Sequence, residues 1–432
     1  MSDHRVNRGP GEKGLDTHLL RFDPEGRLAF PDQVRRRWGL EAGADVVVRQ
    51  TPQGLMLLPA DPPLAKVYVE PTSACNLNCR SCMRHSWNEP TGTMTMVTFR
   101  RLIESLQGVP SFHTMAFWGM GEPLLHPEIA SMVRAANALG AETELITNGL
   151  LLSPELAGAL IEAGLDRIIV SVDGTTPQRH AENRAGADLE TLKSNVLSLR
   201  RIRREMQKTS PEIGIEFVLM RRNLEEVRNL RGLASELGAS FIILTNVLPY
   251  TAEVRDEILY WISADRPWAD GRSTWFPKIS VPRFDARPEN LEPLASLIWP
   301  AGGTAEPIQR ADRFPDNDGH CRFVEQGSMV VGWDGAVSPC IALMHSYTCF
   351  VLDREKRIQR YVLGNAGEED VLAIWRKEEF RRFRKRVLDF DFPPCIHCGG
   401  CDFVESNEQD CYSSTFPSCG DCLWARNIIV CP

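Results

Sequence analysis

The thirteen cysteines of this 432-residue chain are the residues best able to do chemistry, and they fall into two groups. Cys75-Asn-Leu-Asn-Cys79-Arg-Ser-Cys82 stands alone, whereas Cys321, Cys340, Cys349, Cys395, Cys398, Cys401, Cys411, Cys419, Cys422 and Cys431 crowd the last part of the chain. A reducing cytosol keeps thiols unpaired, so this density points to metal binding or redox chemistry rather than to disulfides. Three thiolates on one short loop suit a four-iron cluster in which one iron stays open, and an open coordination position is what a catalytic metal centre needs. Zinc is the competing reading. A structural zinc wants a fourth ligand, and the nearest candidate, His85, makes an unusual spacing.

A loop that presents three thiolates needs a rigid strand before it, and the sequence supplies a series of them. From residue 64 to about 250, strand and helix patterns alternate, which favours an α/β fold with a parallel sheet and crossover helices. Six strands are expected at 66–70, 114–118, 142–147, 167–172, 213–219 and 241–244. Between them lie patterns of helical period, such as Met96, Phe99, Ile103 and Leu106, or Ile129, Met132, Val133 and Ala136. Pro127 and Pro154 suit first turns, Ser153 suits an N-cap, and Gly140, Gly164 and Gly238 suit helix ends. Six such units make a partial (β/α)6 barrel, whose functional residues gather at the C-terminal ends of the strands.

Other units flank this core. Residues 1–60 read as a small β-rich domain with a turn at Pro24-Glu-Gly26 and a short helix near Gln33 to Trp38. Strands are expected there at 46–49 and 55–58, and Ala60-Asp-Pro-Pro63 reads as a linker. Residues 251–320 lose the βα rhythm and carry Trp261, Trp268, Trp275 and Trp299, which suggests a bridging insert beside the substrate cleft or ordinary packing. Residues 321–432 hold the second cysteine group. The formal charge of −8, from 49 basic and 57 acidic residues without a long single-sign run, argues for neither nucleic acid nor a membrane surface. No stretch approaches the ~20 apolar residues of a membrane span, and the charged start places the protein in the cytoplasm.

The cysteine spacing on the first strand's loop resembles the signature of the radical S-adenosylmethionine superfamily. That resemblance implies a 4Fe–4S cluster on Cys75, Cys79 and Cys82 and reductive cleavage of S-adenosylmethionine to a 5′-deoxyadenosyl radical. Gly119-Met-Gly121-Glu122-Pro123, after the second strand, is similar to the family's Gly-Gly-Glu-Pro, which receives the methionyl amino group. Ser171-Val-Asp173-Gly174 and Arg184 match positions that hold ribose or carboxylate, and Thr147-Asn148-Gly149 also fits. Gly119, Gly121, Glu122, Asn148, Ser171, Asp173 and Arg184 are therefore the expected cofactor contacts. For Arg184 a solvated loop position, and for Asn148-Gly149 a plain turn, are the alternatives. Many relatives carry an aromatic residue just before the third cysteine, where this chain has Ser81, and that departure leaves adenine packing open.

Cys321 and Gly332-Trp-Asp-Gly335-Ala-Val-Ser-Pro-Cys340 resemble the opening of the SPASM domain, which carries auxiliary iron–sulfur clusters. Two auxiliary clusters are implied, drawn from Cys321, Cys340, Cys395, Cys398, Cys401, Cys411, Cys419, Cys422 and Cys431, with Cys349 a structural thiol. Zinc ribbons remain an alternative for the Cys-x-x-Cys pairs. Gly26-Arg-Leu-Ala-Phe-Pro31, with Val34-Arg35, Gly39-Leu40 and Gly43, resembles the AbrB-like swapped-hairpin family and implies a homodimer through the head; a structural cap or docking module is the other reading. The run from Cys401 to Trp424, ending Cys431-Pro432, looks like the tail of maturases associated with tungsten-dependent aldehyde ferredoxin oxidoreductases. This implies a protein or peptide substrate, such as a tungsten oxidoreductase or its pterin cofactor, and an electron donor of the ferredoxin or flavodoxin type. A maker of thioether or other cross-links in a ribosomal peptide is the alternative enzyme. A DNA-binding regulator that senses through its cluster is the alternative of another class, disfavoured because a sensor does not need six strand ends of cofactor contacts.

Overall fold

The computed structural model describes residues 20–40, 44–51, 54–87, 89–261, 278–285, 287–298, 319, 321–397 and 401–430. Its centre is one mixed α/β layer built on a ten-stranded sheet. The strands are β1 Lys66–Val69, β2 Thr114–Phe117, β3 Glu142–Thr147, β4 Arg167–Ser171, β5 Glu212–Leu219, β6 Phe241–Asn246, β7 Lys278–Ser280, β8 Ser328–Val331, β9 Ala336–Ser338 and β10 Gly364–Asn365. Their order across the sheet is β7-β6-β5-β4-β3-β2-β1-β8-β9-β10. Pairing is parallel from β7 through β8 and antiparallel from β8 to β10.

All six expected strands are present, and the sheet extends past them at both ends. β7 comes from the stretch read as a bridging insert and pairs with β6. On the other side β8, from the cysteine-rich part, pairs with β1 in register Ser328↔Lys66 to Val331↔Val69. The sheet thus runs continuously into the region of the second cysteine group, and among the described residues its edges are β7 and β10. Near-continuous apolar strands are what a sheet covered on both faces requires, and Thr114–Phe117 is buried along its whole length.

Most of the expected punctuation is realised; Pro127, expected in a first turn, instead precedes the Glu128 N-cap of the helix Ile129–Ala138. Ser153 caps the helix Pro154–Glu162 by accepting from Leu156 N, and Thr95 caps Met96–Leu106 by accepting from Thr98 N. Gly140, Gly164 and Gly238 all adopt positive φ at helix ends.

In the head, Val46–Thr51 and Gly54–Pro59 form an antiparallel hairpin, and Asp32–Arg37 is the short helix. Phe22, Trp38, Val48 and Leu55 of this unit are exposed. Within Ala60 to Pro63, the stretch read as a linker, Asp61 is held by a side chain from the later part of the chain. Arg384, buried on the helix Glu378–Asp389, donates to Asp61 Oδ1 from Nε at 2.8 Å and from Nη2 at 2.6 Å. The same guanidinium stacks on Trp375, 4.0 Å from its ring centroid, and on Phe380. Trp268, Trp275 and Trp299 lie outside the described residues, as do Cys398 and Cys431.

Candidate active site

The C-terminal ends of the parallel strands open onto one cavity of about 230 Å³. Cys75, Cys79 and Cys82 line it, together with Gly119, Gly121, Glu122, Asn148, Ser171 and Arg184. The fold therefore brings nine of the residues expected from the sequence to one cavity. The cysteine loop is fixed from two sides. Asn78 and Cys79 pair antiparallel with Ala185 and Arg184, and Glu122 N donates to Ala74 O at 2.8 Å. That second contact requires glycine at 121: a Cβ there would lie 2.1 Å from Thr72 O and 2.5 Å from Ala74 O.

Cys82 stands close enough to raise the pKa of both Cys75 and Cys79. Burial pushes the Cys75 thiol up and the Cys79 thiol to about 11, so loading with metal must release protons. Arg84, which the sequence reading passed over, offsets part of this. Its Nε lies 3.4 Å from Cys82 Sγ, its Nη2 donates to Leu77 O at 2.6 Å, and its charge reaches all three thiols. Among the described residues, no three His, Cys, Asp or Glu side chains converge as ligands of a single metal ion do. In a four-iron cluster each thiolate binds its own iron. Three thiols sharing a cavity wall beside a cation fit such a group.

Glu122 is buried and accepts three hydrogen bonds. Thr147 Oγ1 donates to its Oε1 at 2.6 Å and Leu124 N to the same oxygen at 3.0 Å, while Asn148 N donates to Oε2 at 2.8 Å. Burial raises its pKa against the pull of these three bonds. A carboxylate offers about four acceptor positions, so one remains on Oε2. The Asn148 side chain donates to Asn76 Oδ1 at 2.8 Å, and its own Oδ1 accepts from Leu150 N.

Arg184 lies on the cavity wall, and Asp173 stands behind it rather than on the wall. Arg184 Nε and Asp173 Oδ2 form an ion pair at 2.7 Å, and Asp173 Oδ1 accepts from Val218 N. Burial lowers the guanidinium pKa, but Asp173, Cys79 and Glu216 outweigh it and the net shift is upward. Glu216, absent from the expected set, lines the cavity and accepts from Ser171 Oγ at 3.1 Å. Its pKa is raised by burial, with Arg184 opposing and Asp173 adding. A lone acid in the apolar run Ile213-Gly-Ile-Glu-Phe-Val-Leu219 was the available signal. Ser81 also lines the cavity, and Trp118, Tyr250 and Trp424 bring aromatic faces to it from other elements.

Segments distant in sequence complete the lining of the cavity. Ile341, Trp424, Ile429 and Val430 line it. Val430 N donates to Thr245 Oγ1, and Asn246 Nδ2 donates to Ile428 O.

The later cysteines also group. Cys340, Cys419 and Cys422 line one cavity, and Cys321 acts electrostatically on Cys340 and Cys419. Burial pushes the Cys321 thiol to about 12. Cys395 is instead influenced electrostatically by the exposed Cys411, while Cys401 lines a separate surface cleft. Cys349 is buried in the hairpin Tyr347–Val351/Arg354–Ile358, beside the four-thiol group.

Comparison with known proteins decides the family. Residues 69–234 match the Radical SAM superfamily, and residues 321–402 match SPASM, an iron–sulfur cluster-binding domain. The chain is a radical SAM enzyme with a SPASM domain. Its cofactors are S-adenosylmethionine, a 4Fe–4S cluster and auxiliary iron–sulfur clusters. It is 29% identical over 373 residues to a tungsten-containing aldehyde ferredoxin oxidoreductase cofactor-modifying protein of Pyrococcus furiosus, a match covering 85% of this chain and 96% of that one. A PqqA peptide cyclase of Ruegeria pomeroyi is 34% identical over 119 residues, 28% of this chain and 30% of the relative. Streptococcus suis SuiB bound to S-adenosylmethionine shares the fold, with a TM-score of 0.51 and 17% identity over 82% of this chain and 74% of that one. Among the described residues no helix is long and apolar enough to cross a membrane.

Proposed function

We propose that this enzyme matures a tungsten-dependent oxidoreductase by modifying its polypeptide or its pterin cofactor. The observation that carries this reading is the similarity to the Pyrococcus furiosus protein, which covers 85% of the chain and so extends well beyond the radical SAM core. When bound, the cluster and S-adenosylmethionine supply one-electron cleavage of the sulfonium and removal of a hydrogen atom from the substrate.

The chain's own residues bind, orient and exclude water. Cys75, Cys79 and Cys82 hold three irons of the first cluster. Glu122 receives the methionyl ammonium on its remaining Oε2 position, beside the Gly119–Gly121 backbone. Arg184, aimed by Asp173, offers a planar fork to the methionyl carboxylate or the ribose, with Ser171 and Asn148 beside it. The segment 424–430 keeps water from the cavity. Cys321, Cys340, Cys419 and Cys422 hold one auxiliary cluster; Cys395 and Cys411, with partners among Cys398, Cys401 and Cys431, hold the second. Residues 1–60, 64–250, 251–320 and 321–432 are the functional units, and the exposed apolar face of the first joins two copies. A ferredoxin- or flavodoxin-type protein supplies electrons.

The test incubates reconstituted enzyme, S-adenosylmethionine and dithionite with the apo-form of a tungsten oxidoreductase, followed by mass spectrometry of its polypeptide and extracted pterin. A new mass on either supports the reading. The match to a peptide cyclase favours a second reading, cross-linking of a ribosomal peptide. Modification of a short cysteine-rich peptide alone would establish that one instead.

A further inference from the structure

We propose that the buried Lys356–Asp421 ion pair sets the reduction potentials of the auxiliary clusters, Lys356 raising them and Asp421 lowering them. This rests on the assignment of those clusters to the cysteines grouped above.

Lys356 sits in a strand, Arg354–Ile358, whose composition reads as solvent-facing, yet its side chain is 4% exposed and that of Asp421 is 5% exposed. Their Nζ and Oδ1 atoms are 2.5 Å apart, and Asp421 Oδ2 has no hydrogen-bond partner among the described residues. Burying such a pair costs desolvation on both sides and seldom stabilises a fold over apolar residues of the same volume. The surroundings suggest a use for it. Lys356 lies directly opposite Cys349 in the hairpin register, and Lys356, Asp421, Cys340, Cys419 and Cys422 line the same cavity.

The second thiol group touches the same turn from outside. Gly420, between Cys419 and Asp421, packs so closely on Cys395 that a Cβ on it would lie 3.1 Å from Cys395 Sγ. Arg354, two residues before Lys356, donates to Cys395 O at 3.2 Å. The turn 419–422 is therefore a partition with thiols of one group in it and Cys395 of the other against it. The ion pair is built into that partition. Arg386 adds a second cation near this turn, donating to Thr415 O and Pro417 O, and it is unchanged in every variant compared below.

A cluster that accepts one electron from an external one-electron reductant gains one negative charge, with no bond made or broken in the protein. In a buried site a fixed cation favours that added charge and a fixed anion disfavours it, more strongly than in water. The two members of the pair must then act with opposite sign, a pattern that packing damage does not produce.

The experiment uses the full chain with Cys75, Cys79 and Cys82 all replaced by Ala, so that only auxiliary iron is observed, reconstituted anaerobically and titrated with dithionite under electron paramagnetic resonance. Relative to this parent, Lys356→Met is expected to shift the midpoint potential negative and Asp421→Asn to shift it positive. Lys356→Arg and the double variant K356M/D421N are expected to lie near the parent. Iron present with unmoved potentials, or with both single variants shifted the same way, overturns the tuning role while leaving the cluster assignment standing. A parent that binds no iron overturns the assignment and the tuning together.

Discussion

Replacing Glu122 with Gln leaves the side chain's shape unchanged and removes its charge, so the consequence can be worked out from three hydrogen bonds. The two-donor end of the carboxylate, Oε1, faces Thr147 Oγ1 and Leu124 N, and the other end faces Asn148 N. The amide keeps the most bonds with its oxygen at the two-donor end. Its NH2 then faces the Asn148 N–H, which is left buried and unsatisfied at a cost of about 1–3 kcal/mol. An ammonium that met a carboxylate oxygen now meets an amide, a loss of about 1.5–3 kcal/mol for a hydrogen bond to a charged group. At 1.4 kcal/mol per decade, the Kd for S-adenosylmethionine should rise roughly 10- to 150-fold. Equilibrium dialysis of labelled S-adenosylmethionine against reconstituted native and E122Q protein measures this, with iron content determined in parallel. Native iron with a Kd changed less than about twofold would refute the placement of the methionyl group.

Three further outcomes follow from the geometry. His345 Nε2 donates to Glu70 and Nδ1 donates to Glu89 at 2.6 Å; burial lowers the imidazole pKa, but the two carboxylates raise it to about 9. The folded value lies above the unfolded value of about 6.5, so this stabilisation is complete below about pH 6.5 and is lost as pH rises through about 9. Thermal scans from about pH 6 to about pH 10 should show a steeper alkaline decline for native protein than for His345→Gln, and parallel curves would contradict this. Gly121→Ala drives a methyl into the Thr72 and Ala74 carbonyl oxygens, so reconstituted G121A should lose about four irons, those of the first site; a full native complement would count against the close approach. Arg384→Met removes the bonds to Asp61 and the charge over Trp375, while Asp61 stays accessible to water. It should cost about 2 kcal/mol, or roughly 2 °C in Tm for a chain of this length, and an unchanged Tm would show that the contact contributes nothing.

The parts of the site written in local order were legible. Three cysteines on one loop, a Gly-x-Gly-Glu turn and strand-end residues such as Ser171 need only the alternation of strand and helix to converge. What escaped depends on pairing between distant segments. Nothing near Ser328 announces that it will pair with Lys66 and extend the sheet. Asp173 was legible as a site residue, but not as one standing behind Arg184, because that depends on how the segment after β4 folds back onto the cysteine loop. Lys356 was hidden by its neighbours: in Arg354-Glu-Lys-Arg-Ile358 every second side chain turns inward, and charge on both faces masks the buried one. Glu216 was the opposite case, a single acid in an apolar strand.

The claim that Cys75, Cys79 and Cys82 carry the catalytic cluster is tested most directly by anaerobic iron and sulfide analysis after reconstitution. 5′-Deoxyadenosine release is assayed in the same sample, for the native chain and for the variant with all three replaced by Ala. The expected result is about twelve irons in the native protein, about eight in the variant, and nucleoside from the native protein alone. Equal iron in both, or nucleoside released by the variant, would contradict it.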